Sequence, residues 1–399
     1  MTTLGSAALA EEPAPKASPP AQPAPAVKVH RHRVVRHIRQ RHDDNDVVRH
    51  ARQHHDDNDN AQAGLSERLN KNTVAIIAGG LGSTDLAVAQ DLAAVLDDGD
   101  NLRILPVVGV GGGRNIRDVR FLKGVDLGIT QTNLLARAQA NREIGTLSDK
   151  IVYVAKLSNA EVHLLVRADS RISTIAELRG RTVSLGEPGS GSQLTGHEVL
   201  DRLGITVHEV NLAGADAIAR LRAGEIDAFM LIGGKPVPAI AGIAAGLRVL
   251  PVPFAKPLRD DFLPATLGSD DYPGLIASGR EVETLAVGTV LVAYNWPKDS
   301  DRYAKIEKFV GALFPRIAQL QASPRHPKWR EVNLAATLPG WTRFAAAQEW
   351  LDHHRELEAK QRDQFEQYAR AHGGSAASAA ERERLFGDFV KWSEARAHH

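Results

Sequence analysis

Two glycine–serine pairs in this chain stand where a carboxylate or another small anion could be bound. Thr73-Val74 leads through a glycine-rich stretch to Gly82-Ser83, and Thr182-Val183 leads at identical spacing to Gly191-Ser192. Each copy has the pattern of a short strand, a glycine loop and a helix. Such a loop leaves backbone N–H groups unpaired beside the positive end of the helix dipole, which suits an anion. The repetition therefore predicts an anion site shared by two similar lobes.

A second repeat occurs in the same order along the chain. The apolar run Leu127–Thr130 ends in Gln131, Thr132 and Asn133, and the run Ala228–Ile232 ends in Gly233, Gly234 and Lys235. Each half therefore presents a polar loop at the carboxyl end of a short strand, which is where ligands bind in open α/β sheets. The alternative is that two strand–turn–helix units resemble one another by chance.

The order of apolar runs predicts an α/β protein with helices between short strands. The long run Val282–Asn295 is expected to return from the second lobe and pair with Glu161–Arg167, so that these two crossing strands form a hinge. The expected boundaries are residues 73–166 with 281–399 for the first lobe, and residues 167–280 for the second. The remaining strands are expected at Thr73–Ala78, Leu102–Val107, Val125–Thr130, Thr182–Leu185, Val207–Val210 and Ile226–Ile232.

Composition agrees with two globular lobes. The 399 residues exceed one ordinary core, and 43% apolar with 24% charged residues is an average balance for a soluble protein. A net charge of +1 gives no basis for a nucleic-acid partner. Cysteine is absent, which excludes disulfides, thiol nucleophiles and thiolate metal sites.

The N-terminal region has a different character. Residues 1–10 resemble the end of a truncated secretory signal, with small residues at Ala8 and Ala10, although an alanine-rich tail is the alternative. Residues 11–72 are expected to be a disordered linker, first rich in proline and then rich in histidine and aspartate, with a tandem repeat in the segment 34–59. The repeat is interpreted as a solvated low-complexity expansion, although its histidines could bind metal loosely. Export from the cytoplasm is expected.

Enzyme motifs do not fit the spacing of this chain. The loop Gly109–Arg114 lacks the last glycine of the dinucleotide fingerprint, and Gly233-Gly234-Lys235 has Phe229 where a phosphate-binding loop needs its first glycine. The segment Gly189–Ser192 does not match the nucleophile elbow of hydrolases. The sequence therefore predicts a binding protein without catalytic residues, cofactor or bound metal.

Aromatic residues recur near the C-terminus at helical spacing. The segment Pro339–His354 is expected to form a helix that packs on the first lobe, and Ala379–Trp392 an amphipathic tail helix. A partner-binding surface is the alternative to packing.

Several stretches together resemble one known family. They are Gly79–Asp91, Leu122–Asn133, Val162–Ser170, Ser173–Ser184, Glu187–Ser192 and Leu221–Pro238. In combination they resemble the TAXI class of receptors for TRAP transporters, the tripartite ATP-independent importers, over about residues 73–350. The resemblance implies a two-lobed periplasmic-binding-protein (type II) fold and a periplasmic monomer. Such a receptor binds a small organic anion, glutamate or another carboxylate, between its lobes and delivers it to membrane subunits. An orphan sensor with a non-transporter partner is the alternative.

The resemblance also implies which residues contact the ligand. Hydroxyl and backbone N–H groups would bind the carboxylate, while amide and ammonium groups would orient it. The expected contacts are Gly82, Ser83, Thr84, Asn115, Gln131, Thr132, Asn133, Ser190, Gly191, Ser192, Gln193, Gly233, Gly234 and Lys235. Ser83 and Ser192 also stand where helix N-caps belong, so capping is the alternative role for both.

Two departures from the family pattern bear on the ligand. Asp85-Leu86 stands where members usually carry two tyrosines, which places an acidic group near the cleft. Asn133 stands where an aspartate is frequent, which removes a partner for an amino group. An amino-acid ligand is therefore less expected than a plain carboxylate, unless Asp85 faces inward and compensates. Arg114 and Arg167 could each bind a carboxylate, although arginines near strand ends more often face solvent.

Overall fold

The computed structural model describes residues 62, 64–99, 101–142, 144–243, 246–371 and 378–397. The predicted signal remnant, the proline-rich linker and the histidine repeat lie outside these residues. Residues 64–72, at the end of the predicted linker, form a helix, α1. Within the described part of the chain, no helix combines the length and apolar character needed to cross a membrane.

The described residues alternate strands and helices along most of their length. The strands are β1 (Thr73–Ile77), β2 (Arg103–Val107), β3 (Leu127–Gln131), β4 (Ile151–Arg167), β5 (Thr182–Ser184), β6 (His208–Val210), β7 (Ala228–Gly233), β8 (Leu247–Leu250), β9 (Leu263–Gly268) and β10 (Glu281–Tyr294). The helices after α1 are α2 (Thr84–Leu96), α3 (Gly112–Phe121), α4 (Thr132–Asn141), α5 (Gly191–Arg202), α6 (Gly214–Ala223), α7 (Pro238–Ala241), α8 (Asp301–Leu313), α9 (Ile317–Leu320), α10 (Ala345–Ala371) and α11 (Ala379–Ala397). The predicted α/β class is confirmed.

One mixed sheet runs through the molecule, in the order β2-β1-β3-β10-β4-β7-β5-β6. The strands β1, β2 and β3 are mutually parallel on one side, and β5, β6 and β7 are parallel on the other. Between them run the long strands β4 and β10, which pair antiparallel with each other and with their outer neighbours. Two parallel half-sheets joined by two long shared strands make the two-lobed fold that the sequence predicted.

The pairing of the two shared strands corrects the sequence prediction. Tyr294 pairs with Ile151 and Ala286 pairs with Glu161, so β10 lies against residues 151–161 rather than against Glu161–Arg167. The rest of β4 pairs with β7 and β8. The error arose because β4 begins at Ile151, ten residues before the predicted start. Strands β8 and β9, which pair with β4 and β10, were also missed.

Helix α2 shows how the sequence specifies an element that borders the cleft. Ser83 begins it in extended conformation, and its Oγ accepts a hydrogen bond of 3.2 Å from the backbone N–H of Leu86. Leu86, Ala89, Leu92 and Leu96 then recur on one face and are buried in the first-lobe core. Cap and apolar stripe together fix where the helix starts and which way its first turn faces.

Separate apolar clusters occupy the two halves. Leu92, Phe309 and Trp329 belong to a cluster around β1, α2 and α8, while Val199 and Phe262 belong to a cluster around β5, β7 and α5. Helix α10 adds Ala346 and Ala347 to the first of these clusters. Its start therefore packs on the first lobe, as the sequence predicted. Helix α11 then packs on α10, with the rings of Phe365 and Phe386 5.7 Å apart.

Candidate functional site

A cavity lies between the two glycine loops, with walls from both lobes. The cavity has a volume of about 90 Å³, so the site suits a small solute. Its lining residues are Gly79, Gly80, Leu81, Gly82, Ser83, Asp85, Val110, Gly111, Gly112, Gln131, Gly186, Glu187, Ser190, Gly191, Ser192, Leu212, Gly214, Phe229, Leu231, Ile232 and Ala239. Six of the predicted contacts are among them: Gly82, Ser83, Gln131, Ser190, Gly191 and Ser192.

The three serines of the loops already have partners within the protein. Ser83 caps α2, and Ser190 caps α5 by accepting a 3.1 Å hydrogen bond from the N–H of Gln193. The Oγ of Ser192 accepts a 3.0 Å hydrogen bond from the N–H of Ile232 in β7. Each hydroxyl oxygen therefore helps to hold its loop in place as a hydrogen-bond acceptor. The donors that can serve a solute are the O–H groups of Ser83 and Ser190, which act only as acceptors in capping, and the backbone N–H groups of the first helical turns, which have no carbonyl partner in their own helix.

Glycine at two positions allows the lobes to approach closely. A Cβ added at Gly191 would lie 2.7 Å from Gln131 Nε2 in the first lobe, and one added at Gly112 would lie 2.5 Å from the backbone N of Gly191. Both distances are shorter than real Cβ contacts. Gly112 also has φ of +59°, which favours glycine. The observed packing of the two loops therefore depends on the absence of side chains there.

Side chains beside the cavity join the lobes directly. Thr195 of α5 is fully buried, and its hydroxyl donates to Gln131 Oε1 and accepts a 3.0 Å hydrogen bond from Asn133 Nδ2. Asn133 Nδ2 also lies 2.8 Å from Glu198 Oε2. We call Gln131, Asn133, Thr195 and Glu198 the interlobe latch. Asn133 therefore bridges the two lobes rather than lining the cavity.

Two carboxylates face the same space. Asp85 is the second residue of α2, and burial raises the pKa of its carboxyl group to about 6. Glu187 comes from the second-lobe loop before α5, and a Cβ added at Gly80 would lie 3.3 Å from its Oε2. Glu187 thus reaches the first-lobe glycine loop. The sequence prediction that Asp85 stands near the cleft agrees with its place in the lining.

Other predicted contacts are used within the protein framework. The hydroxyl of Thr84 is buried and donates to the carbonyl of Gly234, so these two residues join α2 to the end of β7. Asn115 is fully buried, and its Nδ2 donates to the carbonyls of Ala78 at 3.1 Å and Ile129 at 2.8 Å. It therefore ties the ends of β1 and β3 together behind the loops.

The predicted cationic contact does not reach the cavity. The Nζ of Lys235 lies 2.9 Å from Asp271 Oδ2 and 2.9 Å from the carbonyl oxygen of Thr266. Gln193 also turns away, because its Nε2 donates to Glu209 at 2.7 Å. Thr132 and Gly233 are absent from the lining as well.

Neither of the two arginines considered as carboxylate ligands lines the cavity. Arg167 forms an ion pair with Asp169, with 3.1 Å between Nε and Oδ1. Arg114 lines a second, wider groove of about 580 Å³ together with Arg117 and Arg137.

Several lining residues were missed by sequence reasoning. Gly111 and Gly112 belong to the glycine-rich loop from which only Asn115 was predicted to contact the ligand. Phe229 and Leu231 lie in an apolar run that was interpreted only as a buried strand. The glycines were detectable from their number, whereas the wall formed by β7 required knowledge of which strands adjoin the loops.

Within the described ranges, no three residues of the types His, Cys, Asp and Glu come together in a geometry that could hold a metal ion. The buried ring of His163 is bonded to the hydroxyl of Tyr272 at 2.7 Å, and burial lowers its pKa to about 4. This histidine is part of the core rather than of the cavity lining.

Solved structures similar to this chain include three binding proteins. The periplasmic aliphatic sulphonate binding protein of Escherichia coli is 21% identical, with 71% of this chain and 79% of that chain covered and a TM-score of 0.37. The alkanesulfonate-binding protein of Xanthomonas axonopodis pv. citri, bound to MOPS, is 18% identical, with 65% and 81% covered and a TM-score of 0.36. The substrate binding protein of an amino acid ABC transporter is 12% identical, with 62% and 93% covered and a TM-score of 0.39.

A family model gives the assignment. The model described as the NMT1-like family matches residues 76–338, which is well over half of the chain. The match begins in β1 and spans both lobes and both shared strands. It does not distinguish the TAXI class that the sequence resembles, but it agrees with the prediction of a binding protein rather than an enzyme. The chain belongs to the NMT1-like family.

Proposed function

We propose that this protein is an exported solute-binding protein that captures a small molecule between its lobes and delivers it to a membrane importer. One observation carries the proposal: a small cavity is lined by glycine loops and helix N-termini from both lobes. Lobes that meet over a cavity and are joined by two long strands are suited to closing around a solute. No chemical step on the solute is part of this function.

The ligand carries a carboxylate in this proposal. The starts of α2 and α5 both face the cavity, and their first-turn N–H groups can donate to carboxylate oxygens. The capping hydroxyls of Ser83 and Ser190 accept from the helix backbone and can still donate to the same carboxylate, so backbone and side-chain donors share this role. A glutamate-like or other carboxylate compound, bound in the periplasm by a monomer, is the finer form of the proposal.

The partner is the membrane part of a TRAP-type importer. The support is the resemblance of the quoted stretches to TAXI receptors. Purified receptor added to proteoliposomes that contain the cognate membrane subunits should be required for uptake of the bound solute. Uptake that is independent of the receptor would favour the sensor alternative.

Binding between closing lobes can be tested with one added methyl group. In the full-length protein, Gly191→Ala places a Cβ against Gln131 of the other lobe, whereas Gly311→Ala in α8 has open space around the new Cβ. Carboxylates, amino acids and sulfonates are screened by thermal shift, and hits are measured by calorimetry. We expect at least one solute to raise the Tm of the native protein and of Gly311→Ala. Gly191→Ala should bind that solute at least ten-fold more weakly.

Equal affinity in the two variants would show that closure at these loops is not needed for binding. The failure of every solute to raise the Tm would contradict a function in solute capture through this cavity.

A further inference from the structure

The charged side chains that line the cavity are negative and would repel a ligand with a net negative charge. Asp85 and Glu187 are the ionisable side chains among its lining residues, one from each lobe. No lysine, arginine or histidine of the described residues lines it. Lys235, the cation predicted to contact the ligand, forms an ion pair with Asp271. A solute enclosed here would therefore meet two carboxylates and no positively charged side chain.

Asp85 has no protein partner that would explain its position. Its carboxylate makes no hydrogen bond or ion pair with the described residues, although it stands in the first turn of α2. An acidic residue at such a place ordinarily stabilises the helix dipole or caps the helix. Here Ser83 already provides the cap, and burial raises the pKa of Asp85 to about 6, so the charged form is disfavoured in the protein without ligand. A half-buried carboxylate without a partner at a binding cavity is typical of a group that binds a ligand.

Glu187 supplies a second carboxylate at the opposite wall. It is exposed in its own lobe, yet its Oε2 comes close to Gly80 of the first lobe. The residue has no ion pair among the described residues. Because the two carboxylates come from different lobes, closure brings both of them to one solute.

We propose that the ligand carries, besides its carboxylate, a protonated amine bound by Asp85 and Glu187, and that it is a small zwitterion rather than a net anion. This inference rests on the proposed function, because it concerns the ligand of the same cavity. An ammonium group donates hydrogen bonds to both carboxylates, while a carboxylate on the same molecule accepts from the first-turn N–H groups. The volume of about 90 Å³ favours a compact amino acid.

The test compares molecules that differ only in the amine. Calorimetry on the full-length protein uses the twenty common amino acids, the carboxylic acids that lack only the α-amino group, and simple primary amines. We expect at least one amino acid to bind at least ten-fold more tightly than the carboxylic acid that lacks only its α-amino group. Asp85→Asn and Glu187→Gln should each weaken that binding at least ten-fold. Asp98→Asn, an exposed acid beyond the other end of α2, should leave it unchanged.

The possible outcomes separate the two proposals. If a carboxylate without an amine binds best and Asp85→Asn leaves its affinity unchanged or higher, the amine inference is wrong while solute capture stands. If neither the amino acids nor the matched carboxylic acids bind, the proposed capture of a carboxylate solute fails, and the amine inference fails with it. Because Glu187 is an exposed loop residue, Glu187→Gln gives a result that does not depend on whether Asp85→Asn disturbs the helix.

Discussion

Replacing Asp85 by asparagine should stabilise the protein without ligand, although the same change should weaken ligand binding. The carboxylate lines a cavity, lacks a cation, and has its pKa raised from 3.8 to about 6 by burial. A carboxyl group with a raised native pKa binds protons more tightly in the native state than in the unfolded state. Its contribution to stability is therefore greatest at low pH and falls as the pH rises from about 4 to about 6.

The size of the effect follows from the pKa difference. Each pKa unit corresponds to about 1.4 kcal/mol, so ionised Asp85 lowers the free energy of unfolding by about 3 kcal/mol at neutral pH. Part of the side chain remains open to the cavity, which makes this value an upper bound. Asparagine has a similar shape and no charge, so most of the penalty should disappear. At pH 4.5 the gain should shrink to about 1 kcal/mol, since native Asp85 is then largely protonated.

Urea unfolding of the ligand-free protein at pH 7.5 and pH 4.5 measures this difference. We expect Asp85→Asn to raise the midpoint at pH 7.5 and to raise it much less at pH 4.5. Asp98→Asn should change neither midpoint by much, because that carboxylate is exposed. A variant that is less stable than the native protein at pH 7.5, or a gain that does not depend on pH, would refute the reasoning that Asp85 is a desolvated and unpartnered carboxylate.

Two further substitutions test the latch and the hinge. Thr195→Val keeps the shape of the side chain but removes its hydrogen bonds to Gln131 and Asn133, each worth about 1 kcal/mol. Because the chain has no cysteine, one spin label can be attached to each lobe through an introduced cysteine, and the distance between the labels should show a more open ensemble. An unchanged distance would count against the latch. Lys328→Met leaves the buried carboxylate of Glu161 without its cation and should cost about 3–5 kcal/mol in urea unfolding. Adding Glu161→Gln should recover much of that loss, and no recovery would mean that the pair contributes through packing alone.

Much of the fold could be predicted because its elements repeat a simple pattern. Short β-branched runs such as Thr73–Ile77 and capped apolar helices such as Thr84–Leu96 indicate their own type and bounds. The two shared strands were harder. Lys156 and Ser158 interrupt the apolar run of β4, so only its last third was recognised. Its partner in β10 was consequently assigned to the wrong segment.

The sequence indicated where the candidate site lies but not which of its side chains face the cavity. Glycine and serine at equivalent positions of two helix starts indicated which loops meet. Whether a polar side chain faces a solute or the protein depends on the partners that tertiary structure brings close. Asn115 and Lys235 illustrate this, because one binds carbonyls behind the loop and the other pairs with Asp271. Neither partner is close to them in sequence.

The balance of charges in the cavity decides between an anion and a zwitterion. The start of a helix stabilises a nearby anion by about 0.3–1 kcal/mol, rising to about 2 kcal/mol in partly buried geometries. A carboxylate about 5 Å away repels the same anion by about 3 kcal/mol at an effective dielectric constant of about 20. Two carboxylates, Asp85 and Glu187, therefore outweigh the starts of α2 and α5 for a ligand that carries only negative charge. For a zwitterion the same four features are all favourable, provided that its amine faces the carboxylates and its carboxylate faces the helix starts. The arrangement thus selects for the separation of charges within the ligand as well as for their signs.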